Sequence, residues 1–184
     1  MAQFDGAASA SSRTSESGSD EFQHVTRFAG FNLISPLEST RTFLVDNRGK
    51  VVNHWRCGGR PALSAYLLED GHLLRACKSK SPVNRFETGG VGGRVEKFDW
   101  DGNLIWEFEY ATDKAIQHHD IEPLPNGNVL LIAWEHFSRE QAIKAGRDPQ
   151  LVSDDGVWVD QIVEVQPRGK SDGEIVWIWR LWDH

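Results

Sequence analysis

The stretch Arg94-Val-Glu-Lys-Phe-Asp-Trp-Asp-Gly102-Asn-Leu-Ile-Trp-Glu-Phe108 decides the fold class. Two runs rich in branched and aromatic side chains flank Asp99-Trp-Asp-Gly102. Asp, Asn and Gly tolerate the positive φ that tight hairpin turns require, so the stretch reads as two antiparallel strands joined by a turn. The same grammar recurs on both sides. Thr42–Val45 and Lys50–Trp55 flank Asp46-Asn-Arg-Gly49, and Ala65–Leu68 and His72–Ala76 flank Glu69-Asp-Gly71. His119–Leu124 and Asn128–Trp134 flank Pro125-Asn-Gly127, and Gln161–Val165 and Glu174–Trp179 flank Pro167–Gly173. Five such hairpins predict an all-β chain.

Two kinds of hairpin alternate, which marks a repeat. One kind carries a turn glycine and then a tryptophan: Gly49 with Trp55, Gly102 with Trp106, Gly173 with Trp177. The other reads Leu68-Glu-Asp-Gly-His-Leu-Leu74 or Leu124-Pro-Asn-Gly-Asn-Val-Leu130. Gly49 and Gly102 lie 53 residues apart, and Gly71 and Gly127 lie 56 apart. Two hairpins per repeat of about 50 residues make a four-stranded unit, the blade of a β-propeller. A β-sandwich of ten strands is the alternative. Counted from Gly49, the chain holds two blades and the first hairpin of a third, about two and a half blades. Propellers close with about four to eight, so an incomplete ring and a truncated protein are expected. The recurring Trp55, Trp106 and Trp177 predict packing between blades. The last repeat is longer, and Ser138-Arg-Glu-Gln141, Gly146 and Pro149 supply the capping box and stop signals of one short inserted helix near 138–146.

Composition narrows the function classes. The chain has 184 residues, a net charge of −7 and two cysteines. That charge disfavours a nucleic-acid or anionic-membrane partner, which would be repelled. No apolar run approaches the roughly 20 residues of a membrane span. Residues 1–21, rich in Ser, Ala, Gly and acid, predict a disordered tail or linker, with one partial domain over 22–184. That tail lacks the basic and apolar segments of a secretory leader, and the compartment stays open. Cys57 and Cys77 lack C-x-x-C spacing, so neither a disulfide framework nor a zinc site is specified. No cofactor motif is present, and oligomeric state is not encoded in any recognisable pattern.

The chemistry-bearing candidates are few. His118-His119-Asp120 stands at the mouth of a hairpin. Adjacent strand residues face opposite ways, so one histidine is expected to point into an opening and the other to pack. Alternation alone leaves open which of the two points. Gly89-Gly-Val-Gly-Gly-Arg94 fits neither phosphate-loop template, because it leads into a strand. It reads as a tight crossing, with Arg94 a candidate to face an anion. Asp99-Trp-Asp-Gly-Asn103 begins like a calcium loop, but Tyr110 occupies the place of the bidentate Glu, so a hairpin turn is expected.

Together these segments resemble the bacterial arylsulfotransferase family. The resemblance rests on Gly89–Tyr110, on His118-His-Asp-Ile-Glu-Pro-Leu-Pro-Asn-Gly-Asn-Val-Leu130, and on Ala133-Trp-Glu135 and Ala142–Pro149. Asp160–Val165, Gly173–Trp177 and Trp182-Asp-His184 continue it. It implies a six-bladed propeller that moves a sulfuryl group from an aryl sulfate to a phenolic acceptor through a sulfohistidine, without a nucleotide sulfate donor. By that resemblance His119 is a channel histidine that stabilises sulfuryl oxygens and is expected to point to the axis, with His118 its weaker neighbour turned away and Asp120 serving the backbone or His118. The family's nucleophilic histidine and arginine fall beyond His184, so residues 1–184 alone are expected to transfer no sulfuryl group. Members are often exported. The alternative is a non-catalytic propeller that binds a small ligand or a protein through its channel or rim.

Overall fold

The computed structural model describes residues 28–81, 86 and 88–184, and the expected tail at 1–21 lies outside the described residues. The described residues form an all-β structure. Strands β1 (Phe31–Ile34), β2 (Arg41–Asp46) and β3 (Val51–Arg56) make a three-stranded antiparallel sheet. Strands β4 (Pro61–Leu67), β5 (Leu73–Lys78), β6 (Gly93–Phe98) and β7 (Leu104–Glu109) make a second sheet of four. Strands β8 (Ala115–Pro123), β9 (Val129–Phe137), β10 (Val157–Arg168) and β11 (Asp172–Arg180) make a third. Each is an up-and-down meander, and none closes on itself. No helix among the described residues is long and apolar enough to cross a membrane.

All five hairpins form: β2–β3, β4–β5, β6–β7, β8–β9 and β10–β11. Their grouping differs from the count made from Gly49. The hairpins of Gly71 and Gly102 share the second sheet, those of Gly127 and Gly173 share the third, and the partial sheet comes first. Turn residues mark each hairpin but are silent on which strand pairs next. That is decided by long-range register, here the six pairs from Leu73↔Phe98 to Lys78↔Gly93 that join β5 to β6. The inserted helix α1 (Arg139–Lys144) forms between β9 and β10, with the Ser138–Gln141 capping box in place and Gly146 at φ 99 beyond its end.

Alternation along β5 sends Leu73, Arg75 and Cys77 to one face of the second sheet and Leu74 and Ala76 to the other. Leu73 and Phe98 pack on Leu44, Trp55 and Cys57 of the first sheet and its exit. Leu74, Ala76, Val95 and Trp106 pack on Ile121, Val129, Leu131, Val163 and Val165 of the third. The second sheet is therefore covered on both faces.

The three tryptophans part company. Trp55 and Trp106 are buried at 0% and 3% exposure, whereas Trp177 is 48% exposed. Trp106 and Trp177 do share a register place, opposite Lys97 and Glu164 just before a bulge. In the first hairpin Asn53, opposite Leu44, holds that place, and Trp55 lies two residues further on. The Trp106 indole N–H donates to the Asp172 carbonyl of the following sheet at 2.9 Å, and the Asn53 amide donates to the Trp100 carbonyl at 2.8 Å. Among the described residues no further sheet packs over Trp177, so its ring stays half in solvent.

Candidate functional site

The first strands of the second and third sheets carry the same irregularity. In β4 the pairing steps from Pro61↔Cys77 to Ala65↔Arg75, and in β8 from Gln117↔Ala133 to Ile121↔Leu131. Each first strand thus bulges by two residues against its partner. Within each bulge one non-glycine residue adopts left-handed backbone: Leu63 at φ 84 and His119 at φ 50. Each stands eight residues before a turn glycine, Gly71 or Gly127. An L-residue pays roughly 1–2 kcal/mol for that conformation, and such strain clusters at ligand sites. The two bulges line one cleft of about 450 Å³, together with Ser64, Ala65, Tyr66 and Asp120.

His119 is exposed to this cleft, and His118 is buried. The His119 backbone N–H donates to the Gly90 carbonyl at 2.8 Å. Gly90 itself has φ 79, and a Cβ there would collide with the His119 imidazole. The glycine-rich run is thus what lets a backbone lie directly against that ring. Val91 bridges to His118, and the Gly92 N–H donates to the Gln117 carbonyl. The run returns the chain from β5 to β6 within one sheet and runs along β8 on the way.

His118 is the middle of a three-residue chain. Its Nε2 lies 3.1 Å from Asp160 Oδ1 on β10, and its Nδ1 lies 2.8 Å from His119 Nδ1. Its ring stacks on Trp134 with centroids 3.9 Å apart, and Trp134 continues through Trp158 to the buried Phe86. Burial pushes the His118 imidazole below its ordinary range, with the Asp160 carboxylate opposing that shift.

Asp120 does not serve His118. Its Oδ1 accepts from the Tyr66 hydroxyl at 2.9 Å and from the Ile121 N–H at 2.8 Å. Desolvation and then that carboxylate push the Tyr66 phenol up to about 12, so it stays a donor. Arg94 also departs from expectation. It is 2% exposed and bound to Glu96 at 3.1 Å and Glu107 at 3.2 Å, so it faces carboxylates of its own chain and no open anion site. The Asp99 carboxylate accepts from the Asn103 backbone and side-chain N–H groups, as a hairpin turn requires. Among the described residues no cluster of His, Cys, Asp and Glu is arranged to hold a metal ion.

Sequence reading named His118, His119 and Asp120 but missed Asp160, Tyr66 and Leu63. Leu63 carried a usable signal in its distance to Gly71, the same as that of His119 to Gly127. Asp160 lies 42 residues from His118 and carried none.

Fold and site define a class: an all-β protein of successive antiparallel meanders whose exposed histidine is held by a buried histidine and a carboxylate. The family model for arylsulfotransferase (ASST) matches residues 12–184, and the chain belongs to that family. A search of curated proteins gave no match. Among solved structures, a protein of unknown function from Bacteroides caccae is similar at 16% identity and a TM-score of 0.45. The match covers 82% of this chain and 46% of that one, so the chain spans about half the length of that structure.

Proposed function

We propose that the cleft between β4 and β8 receives the reacting end of an aryl sulfate or its phenolic acceptor, in a propeller built by radial placement of these sheets. The overall reaction is ArO–SO3⁻ + Ar′OH → ArOH + Ar′O–SO3⁻, with no cofactor. His119 in its protonated form donates Nε2–H to a sulfuryl oxygen, where charge-assisted donation is strongest. His118 holds its ring in place. The observation that carries this reading is an exposed imidazole kept in strained backbone and anchored through His118 to Asp160. Side-by-side placement of β4 and β8, the first strand of each complete meander, supports a radial arrangement with first strands innermost. No residue among 1–184 is assigned as the nucleophile.

The test is titration of the chain with 4-nitrophenyl sulfate while the histidine ring resonances are followed by NMR. His119 signals should move most, and His119→Ala should abolish the saturable response. Unmoved His119 signals, or the same affinity after His119→Ala, would remove the cleft from the reading. In sulfuryl transfer to phenol by the protein that contains this chain, His119→Ala should lower turnover by about 10²–10³-fold, as for loss of one oxyanion donor. Release of 4-nitrophenol measures this, and unchanged turnover would leave His119 a structural residue.

A further inference from the structure

We infer that Asp160 and His118 form a relay that fixes neutral His119 in its Nδ1–H tautomer, leaving the Nε2 lone pair to the cleft as the acceptor of the attacking phenol's proton. The inference rests on the reading above for the identity of the phenol, but the tautomer follows from the relay alone.

An ionised carboxylate only accepts hydrogen bonds. Asp160 Oδ1 at 3.1 Å therefore requires a hydrogen on His118 Nε2. A neutral imidazole carries one N–H and one lone pair, so His118 Nδ1 is then an acceptor. Across the 2.8 Å to His119 Nδ1, the only remaining donor is His119 Nδ1–H. A neutral His119 has its lone pair on Nε2, which makes no hydrogen bond to protein among the described residues. The opposite polarity would need a second proton on His118. Its 4% exposure and its stacking on Trp134 at 3.9 Å oppose that added charge.

Asp120 and Tyr66, which share the cleft, make no hydrogen bond to the His119 ring among the described residues. Asp120 on β8 is engaged by Tyr66 and the Ile121 N–H, and the Tyr66 O–H on β4 donates to Asp120. Gly90 presents a carbonyl that the His119 backbone N–H already uses. The chemical step then balances. As the phenol oxygen bonds to sulfur, the S–N bond of the sulfohistidine that the family resemblance implies breaks, and that imidazole nitrogen keeps the electron pair. The phenolic proton passes to His119 Nε2. The resulting imidazolium beside the new aryl sulfate is the donor described above, and it returns its proton to the departing aryl oxygen of the next donor. His119 is thus the catalytic residue, and His118 and Asp160 are positioning residues.

The test reads tautomers directly. In the chain labelled with ¹⁵N-histidine at pH about 8, long-range ¹H–¹⁵N correlation should show His118 as Nε2–H and His119 as Nδ1–H, with His119 assigned by its loss in His119→Gln. Free imidazole side chains favour Nε2–H, so the expected His119 pattern is not a default. Asp160→Asn, whose amide can accept or donate, should return His119 toward Nε2–H. A wild-type His119 in the Nε2–H form overturns the relay, as does an unchanged His119 tautomer in folded Asp160→Asn. If that variant does not fold, the wild-type tautomers alone decide. No ligand is present in this measurement, so failure to bind 4-nitrophenyl sulfate overturns the proposed function and leaves the relay standing. A second readout addresses the proton. In the protein that contains this chain, transfer across phenols of decreasing acidity should fall more steeply in His119→Gln than in wild type, because the variant must await an ionised phenol. Parallel slopes overturn the base role.

Discussion

The second and third sheets are the same device filled in two ways. Both are four-stranded meanders with a two-residue bulge in the first strand and a tryptophan opposite the residue before the later bulge. At the first-strand bulge one holds Leu63 and the other His119. Across the middle pair one holds Arg75↔Glu96, with Cys77↔Arg94 the next pair on that face. The other holds Leu131↔Val163 and Ala133↔Gln161 in the matching places. Arg75 and Glu96 are buried toward the first sheet, where Arg75 reaches Thr42 Oγ1 at 3.1 Å and the Gly59 carbonyl. Leu131 and Val163 are buried toward the second sheet in an apolar seam. Backbone plan and side-chain chemistry are therefore separable: turns and bulges repeat, while each face takes the chemistry of the sheet it meets.

The largest expected contrast lies in the tryptophans. Trp106→Ala should cost about 3–5 kcal/mol, as for a buried large aromatic, and it also removes the indole bond to Asp172. Trp177→Ala should cost less than about 1 kcal/mol. Urea denaturation of both variants decides it, and equal costs would break the claim that neighbours, not register, set their burial. Next comes the matched pair Arg94 and Gln161. Arg94→Met leaves Glu96 and Glu107 without a partner they now hold and should cost about 3–5 kcal/mol. Gln161→Met loses a single 3.2 Å bond to the Tyr110 hydroxyl and should cost about 1–3 kcal/mol. Similar losses at the two places would mean the ionic seam behaves like the apolar one.

A smaller effect of opposite sign is expected at the bulges. Leu63 is 52% exposed, so Leu63→Gly forfeits little burial while relieving left-handed backbone worth roughly 1–2 kcal/mol. Set against the roughly 0.5–1 kcal/mol entropy cost of glycine, thermal denaturation should show no loss and up to about 1 kcal/mol gained. His119→Gly should gain nothing, because it severs the bond to His118. A stabilised His119→Gly would show that this bond does not hold the site.

The smallest effect concerns acid. Lys80, bonded at 2.6 and 2.7 Å, and then Arg94 hold the Glu107 carboxyl below its ordinary value of 4.5. A depressed folded pKa gives stability that is present above the unfolded value and is lost as pH falls through the folded one. Ile178, which follows Trp177 as Glu107 follows Trp106, titrates nothing. Lys80→Met should therefore weaken the chain by less than about 1 kcal/mol at neutral pH and flatten the acid limb below pH about 4.5. Melting temperatures across that range measure it, and an unchanged limb would assign acid sensitivity elsewhere.

Every hairpin was legible because its signal is local. Asp46, Asp99 and their turn glycines place positive φ within a few residues, and α1 announces itself through Ser138, Gln141 and Gly146. The His118–His119 pair was legible as a candidate for the same reason. The phase of the sheets was not, because Leu73↔Phe98 and its neighbours are set by packing on both faces. Arg94 looked like a free cation beside a glycine run, and only folding brings Glu96, Glu107 and Glu109 around it.

The amino-acid sequence alone determined an all-β chain of five hairpins with one short helical insert, since turn propensity and strand alternation act over a few residues. It also singled out the pair His118-His119 beside Asp120, and the family resemblance chose His119 of the two. Only the tertiary structure decided that Leu63 stands in the same strained place, that Trp106 is covered and Trp177 is not, and that Asp160 completes the chain to His119. Those facts depend on which surfaces meet. A strand carries no record of its neighbour across 42 residues until close packing and the pairing of buried polar groups select one partner.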